Sequence, residues 1–187
     1  MLSLRLFQVG AMTLVIGVDP GTYRMGVGVI RVVGKRLKFV RAELLEAEKK
    51  RPLAWRLQSL REDLVELCND LADLRNGILV DFGPADGLPP NVHLTGIEEG
   101  FGGGFASDLS LAEVRGVARE VLASSFGSAV LRGYAPATVK LAATGRGNAS
   151  KEYVAKMVTA RLKLKVAPGP DVADALAVAI TRAMEVT

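Results

Sequence analysis

The stretch VIGVDPGTYRMGVGVI, residues 15–30, constrains the chain most. Its first part is a continuous apolar run, which suits a strand buried on both faces rather than one with a wet side. The run ends on Asp19, and Pro20-Gly21 supplies a turn signal. A second run, MGVGVIRVV at 25–33, follows; Gly34-Lys35 is another tight turn; and residues 36–44, RLKFVRAEL, alternate. The chain is therefore expected to open as a three-strand antiparallel meander. A carboxylate at the rim of a core is costly to bury unless something compensates it. Asp19 needs a partner from elsewhere in the chain.

The remaining pattern supplies candidates. Pro52 suits the first turn of a helix. Leu53, Leu57, Leu60, Leu64, Leu67, Leu71 and Leu74 then recur at alternating spacings of 4 and 3, an amphipathic helix predicted to stop near Asn76-Gly77. That stripe suits packing on the sheet, with a partner helix in a dimer as the rival. Residues 78–91 have turn chemistry and read as a loop with at most one short strand. VHLTGIE, 92–98, reads as a fourth strand that also ends on an acid, Glu98. A helix over 107–126 is expected to be capped by Ser107 or Ser110, with Leu111, Val114, Val117, Ala118, Val121 and Leu122 as its apolar face. A fifth strand at 128–135 and two helices, about 150–163 and 171–185, complete the order. Strands alternating with helices after a meander imply an α/β fold, a mixed sheet covered by helices.

With 187 residues, the chain suits one domain with a sizeable core. No apolar run approaches the roughly 20 residues of a membrane span. LSLRLFQVGAMTLVIGV is interrupted by Gln8 and Gly10 and runs into the Asp19 turn, so it is not read as a secretory signal. The expected location is the cytoplasm. Cys68 is the only cysteine, which leaves no internal disulfide and no cysteine zinc site. His93 is the only histidine and is expected at the surface. The net charge of +4 is modest. Its distribution is not: between Leu131 and Pro170, Arg132, Lys140, Arg146, Lys151, Lys156, Arg161, Lys163 and Lys165 face a single acid, Glu152. Such a block suits a polyanion, or else a solvated basic face.

The last helix opens PDVADALAVAI and places Asp171 and Asp174 three apart on one face. If strands one and four are parallel neighbours, Asp19 and Glu98 sit side by side, and a helix docked across that end adds both aspartates. Four carboxylates in one pocket take up protons or bind cations. Oxygen-only ligands suit Mg2+ or Mn2+, and two such ions about 4 Å apart serve phosphodiester displacement. The plainer alternative makes Asp171 a helix cap and Asp174 its first-turn companion.

VIGVDPGTYRMGVGVI, GIEEGF, LAEVRGVARE, YAPATVKLAATGRGNASKEYVAKMV and DVADALAVAI resemble, in order, the signature segments of RuvC-type Holliday junction resolvases, from about Leu14 to Ala183. The resemblance implies a ribonuclease H-like fold and a homodimer. It also implies a structure-selective, Mg2+-dependent endonuclease making two symmetric nicks in a four-way DNA junction, with a branch-migration helicase as a candidate partner. By position it makes Asp19, Glu98, Asp171 and Asp174 the metal ligands, Phe101 a base-stacking aromatic, and Lys140 and Lys151, with Arg146 in the same region, contacts near the scissile phosphates. Residues 1–12 stand before the matching part as an N-terminal extension, and 76–91 is longer than the usual connection. A viral-type nuclease of broader branched-DNA activity and a non-cutting DNA-binding module are the alternatives. GVDPGT also resembles the phosphate loop of actin-like ATPases, whose folds need about twice this length, and the strand turn of the shorter RuvX-type nucleases.

Overall fold

In the computed structural model, which describes residues 13–82, 93–100, 104–127 and 130–185, the elements follow the expected order with one addition. β1 (Thr13–Pro20), β2 (Arg24–Val33) and β3 (Arg36–Glu46) form the antiparallel meander. Then come α1 (Leu53–Phe82), β4 (His93–Glu98), α2 (Phe105–Phe126), β5 (Leu131–Tyr134), α3 (Pro136–Thr144), α4 (Lys151–Leu162) and α5 (Pro170–Met184). The sheet is mixed, in the order β3-β2-β1-β4-β5, with β4 parallel to β1 and β5 parallel to β4.

The continuous apolar run of β1 has a simple cause: both faces of the strand are covered. Leu14, Ile16 and Val18 join a core with Leu60, Leu64, Leu67 and Leu71 of α1 and Val114, Ala118, Val121 and Leu122 of α2. Val15 faces the other way, into a core with Val139 of α3, Val154 and Val158 of α4, and Leu176, Ala177 and Ile180 of α5. Leu60, Leu64, Leu67 and Leu71 of the α1 stripe are thus buried between the helix, α2 and the sheet. Each buried leucine contributes roughly 1.5–3 kcal/mol over an exposed one. Cys68 lies in the same core, where burial pushes its thiol up to about 11.

Two boundaries and one element depart from expectation. α1 does not stop at Asn76-Gly77 but continues to Phe82; a single glycine inside a helix costs only about 1 kcal/mol, and the next proline is Pro84. The first residues of the expected 78–91 loop are therefore helical. α2 starts two residues early, with Gly104 rather than a serine as its cap, and Ser110 bonds back to the Ala106 carbonyl instead. α3 was not expected at all. Its signals are Pro136 in the first turn and Gly145 in the left-handed conformation (φ 79°) after the last, framing only nine residues. Among the described residues, no helix is long and apolar enough to cross a membrane.

α5 decides where the site forms. It lies directly on β1 and β2 because glycines face it. A Cβ on Gly17 would stand 2.2 Å from the Ala175 carbonyl oxygen and 2.3 Å from the Ala179 nitrogen, and one on Gly26 would stand 2.1 Å from the Asp171 carbonyl oxygen. These are backbone atoms that cannot turn aside. Gly17→Ala is expected to lower unfolding free energy by about 3 kcal/mol, the upper part of the usual overpacking cost, as read by urea denaturation followed by circular dichroism. Gly116→Ala, where no atom lies within 4 Å, is expected to match or slightly exceed the wild type.

Candidate active site

The register of the sheet brings the first two acids together. Val18 pairs with Ile97 across the parallel β1–β4 ladder, so Asp19 and Glu98, each one residue further on, end neighbouring strands on the same edge. Asp19 also pairs with Gly26 of β2, whose missing side chain lets the first turn of α5 come down onto the strand. This turn carries Asp171, with Asp174 opening the next. Its cap is Gly169 and Pro170 occupies its first position, so Asp171 is not the N-cap and the capping alternative does not describe it.

Electrostatics tie the four groups into one site. Burial pushes the Asp19 carboxyl up to about 8; the charges of Glu98, Asp174 and Asp171 add to the rise, and Lys151 opposes it. Burial raises Glu98 as well, with Asp174 adding to the shift while Lys151, Lys140 and Arg115 pull it down. The Lys151 ammonium sits 3.0 Å from Asp174 Oδ2, whose side chain is 14% exposed. That hydrogen bond is the main reason its own pKa is raised. Lys151 is placed by the start of α4, where Ser150 caps the helix by accepting from the Tyr153 N–H. Lys140, on α3, reaches the same field through Glu98. Arg146 lies elsewhere in that region, its guanidinium 5.5 Å from the centre of the Tyr153 ring. Phe101 falls outside the described residues. His93 opens β4 and its side chain is likewise outside them.

Arg115 is a residue that sequence reasoning missed. It is buried on α2, its guanidinium donates to the Gly100 carbonyl, and its charge acts on Glu98. It thus holds the segment after β4 and offsets part of the site's negative charge. The signal was present: position 115 lies on the 111, 115, 118, 122 stripe of an otherwise apolar face. Glu99 is turned away from the acids, onto Arg119.

The oxygen-only donor set suits a hard divalent cation. The raised Asp19 pKa is consistent with that: burial is its main cause, the neighbouring Glu98, Asp174 and Asp171 add to it, and a bound cation would relieve both. As the side chains stand, no group of three or more His, Cys, Asp or Glu among the described residues is close-set enough to enclose an ion. A cavity of about 860 Å³, between Lys35, Arg36 and Phe39 of the β2–β3 turn region and Arg161 and Lys163 near the end of α4, lies at the other end of the sheet and has no carboxylate in its lining.

Comparison with known proteins fits this geometry. The family described as crossover junction endodeoxyribonuclease RuvC matches residues 15–73 and 91–182. The chain belongs to the RuvC family. The break in the match, 74–90, falls on the long connection noted in the sequence. A RuvC from Afipia carboxidovorans is 37% identical over 169 residues, covering 90% of this chain and 87% of the relative. One from a Bradyrhizobium species is 35% identical over 90% of this chain and 85% of the relative. The solved structure of Thermus thermophilus RuvC is similar with a TM-score of 0.66 and 29% identity, covering 91% of this chain and 93% of that one. The same protein in complex with a Holliday junction substrate gives 0.65 and 26%, covering 91% and 92%. The yeast mitochondrial resolvase Ydc2, at 0.53 and 11% identity over 94% of this chain and 81% of its own, shares the fold. The expected ribonuclease H-like α/β class and the expected endodeoxyribonuclease family are both borne out.

The raised Asp19 pKa carries a stability consequence. Between its ordinary value of 3.8 and about 8 the folded protein holds a proton that the unfolded chain releases. In metal-free protein, stability from this group is therefore fullest below pH 4 and is lost as the pH rises through 8. Asp19→Asn removes the penalty. In EDTA at pH 9 the variant is expected to melt about 4–8 °C above the wild type, as for a gain of ~2 kcal/mol in a chain of this size. The advantage should shrink steadily as the pH is lowered to 5, as followed by scanning calorimetry.

Proposed function

We propose that the chain is a structure-selective endonuclease that resolves four-way (Holliday) DNA junctions by paired, metal-dependent phosphodiester hydrolysis. The observation that carries this reading is the meeting of Asp19 and Glu98 at the ends of parallel strands, with the Asp171/Asp174 turn of α5 seated over them. Membership of the RuvC family supports it, as does similarity to a RuvC solved with a Holliday junction substrate.

Asp19, Glu98, Asp171 and Asp174 are the residues to hold the metal, taken as two Mg2+ with Mn2+ able to substitute. Bound there, the ions would supply an activated water and charge stabilisation at the 3′ oxygen. The carboxylates position that chemistry and keep it at the rim of the core. The water oxygen bonds to phosphorus as the P–O3′ bond breaks, leaving a 3′-hydroxyl and a 5′-phosphate that a ligase can seal. Lys151 and Lys140 supply positive charge at the mouth of the site. There they take up the scissile phosphate, with Lys151 leaving Asp174 to do so. Arg146 and Phe101 are assigned to flanking DNA, Phe101 by stacking on a base. The basic surface between Arg132 and Lys165 grips phosphates, so affinity falls steeply with salt. A homodimer brings two such sites to a junction with matching twofold symmetry, and a branch-migration helicase is the candidate partner.

The test is to incubate the protein with a synthetic four-way junction, a matched linear duplex and a replication fork, in Mg2+ and in EDTA. Paired symmetric nicks confined to the junction and to Mg2+, with binding retained in EDTA, are expected. Equal cutting of fork and junction would favour the broader branched-DNA nuclease. Asp19→Asn and Glu98→Gln are each expected to lower the cutting rate at least a thousandfold, about 4 kcal/mol of barrier, while gel-shift affinity for the junction stays within a few-fold. Loss of binding in these variants would argue against the catalytic assignment.

A further inference from the structure

The family match explains the basic surface on the α3–α5 side of the sheet and leaves the opposite lip of the site unexplained. That lip is built by the β1–β2 turn and the start of α1. Arg56 donates to the Thr22 carbonyl at 2.9 Å, and the Ala47 N–H donates to the Tyr23 carbonyl at 2.9 Å. The turn, the end of β3 and the first turn of α1 are therefore one assembly, only four residues beyond Asp19. Two aromatic rings lie on it with cations over them. Lys49 Nζ is 4.8 Å and the Arg24 guanidinium 5.8 Å from the Tyr23 ring centre, and Arg51 is 5.3 Å from Trp55. Trp55 is 42% exposed. It is also the only tryptophan in the chain.

A large aromatic side chain left half in water, beside cations, serves poorly as core. Nothing in the packing calls for it: the buried stripe of α1 begins at Leu60 and runs on the other side of the helix. Arg24 and Arg51 are paired with Glu46 at 2.7 Å and Glu48 at 3.0 Å, but all four side chains are about half exposed. Such surface pairs are worth little and exchange readily for a phosphate. Lys49 and Lys50 carry no ion pair among the described residues. Aromatic faces interleaved with exposed cations are the chemistry that holds a nucleic-acid strand by stacking and phosphate contact.

We infer that Trp55 and Tyr23, with Lys49 and Arg51, form a second DNA contact, on the α1 side of the active site. Trp55 stacks on the exposed face of an unpaired or branch-point base. The DNA then straddles the edge of the sheet, with phosphates gripped from the α3–α5 side and a base held on the α1 side. This inference rests on the branched-DNA reading above and assigns a further surface to it.

Because Trp55 is the sole tryptophan, its emission reports this contact alone. The experiment titrates the wild-type protein in EDTA with a four-way junction whose arm ends are closed by hairpin loops. Tryptophan emission and the anisotropy of a dye on the DNA are followed together. The expected result is quenching that saturates with the anisotropy and is clearly weaker with a hairpin-closed linear duplex. Trp55→Ala is expected to weaken junction binding about tenfold, within the range of one base–aromatic stack. Trp55→Phe, which keeps a stacking face, should stay within about threefold of the wild type. Anisotropy that reports tight binding while emission and Trp55→Ala affinity stay unchanged would overturn the inference and leave Trp55 to a protein partner, with the junction reading intact. No anisotropy change at all would overturn the DNA-binding reading and this inference with it.

Discussion

The seating of α5 on the glycines of β1 and β2 is the contact on which the rest depends. A helix packed on a sheet normally stands off by the depth of a layer of side chains. Here Gly17, Gly26 and Gly28 remove that layer, and small residues of the helix, Ala175 and Ala179 among them, come down to the strand backbone. The helix is buried along most of its length as a result. Its N-terminal turn is pinned over the end of β1, with the Asp171 carbonyl against Gly26. Asp171 and Asp174 thus reach Asp19 from above, while Glu98 reaches it from the side through the parallel ladder. The same close contact fixes the position of the acids and shelters them from water.

That shelter has an energetic cost, and the surrounding cations show how the fold bears it. Burial is the main reason the Asp19 carboxyl is pushed up, and the charges of Glu98, Asp174 and Asp171 add to it. Lys151 offsets part by pairing with Asp174, and Lys140 and Arg115 act on Glu98 from α3 and α2. The three cations differ in kind. Arg115 is buried and anchored to the Gly100 carbonyl, so it is a fixed part of the frame. Lys151 is 58% exposed and its partner is one of the proposed ligands. Under the proposed function, Lys151 would leave Asp174 when a cation is bound and be free to meet a phosphate.

How much of this could be read in advance depends on the signal each part leaves in the sequence. Asp19 and Glu98 were legible because each ends an apolar strand. The unbroken run before Asp19 pointed to a strand covered on both faces, the condition for a parallel neighbour. The α5 pair was legible as acids on an otherwise apolar helix. The sequence pattern could not show the depth of α5, because a glycine in a strand reads equally as a bulge, a bend or a close approach. α3 was missed because nine residues hold too few apolar positions to establish a period, although Pro136 and Gly145 marked both ends. Asn76-Gly77 is the converse case: it reads as a stop, but one glycine costs a helix only about 1 kcal/mol, and α1 runs on to Phe82. Arg115 escaped notice because a lone cation in an apolar stripe usually snorkels to solvent; only the position of Gly100 shows what it reaches.

The placement of the acids at a sheet edge also explains why the site has two unlike flanks. Any pocket formed where parallel strands end is open along that edge and bounded by the helices of the two faces. On the α3–α4 side, from Arg132 to Lys165, the flank is basic with a single acid, Glu152, which suits the uniform charge of a phosphate backbone. On the α1 side the cations are fewer and partly paired, and two aromatic rings replace uniform charge. A regular duplex presents phosphates on its outside and keeps its bases stacked, so the first flank serves any DNA. An aromatic face gains from a base only where stacking is interrupted, which happens at a branch. In the proposed reading, charge on one side and aromatic surface on the other would divide affinity from discrimination, with the acids between them, where the two requirements meet.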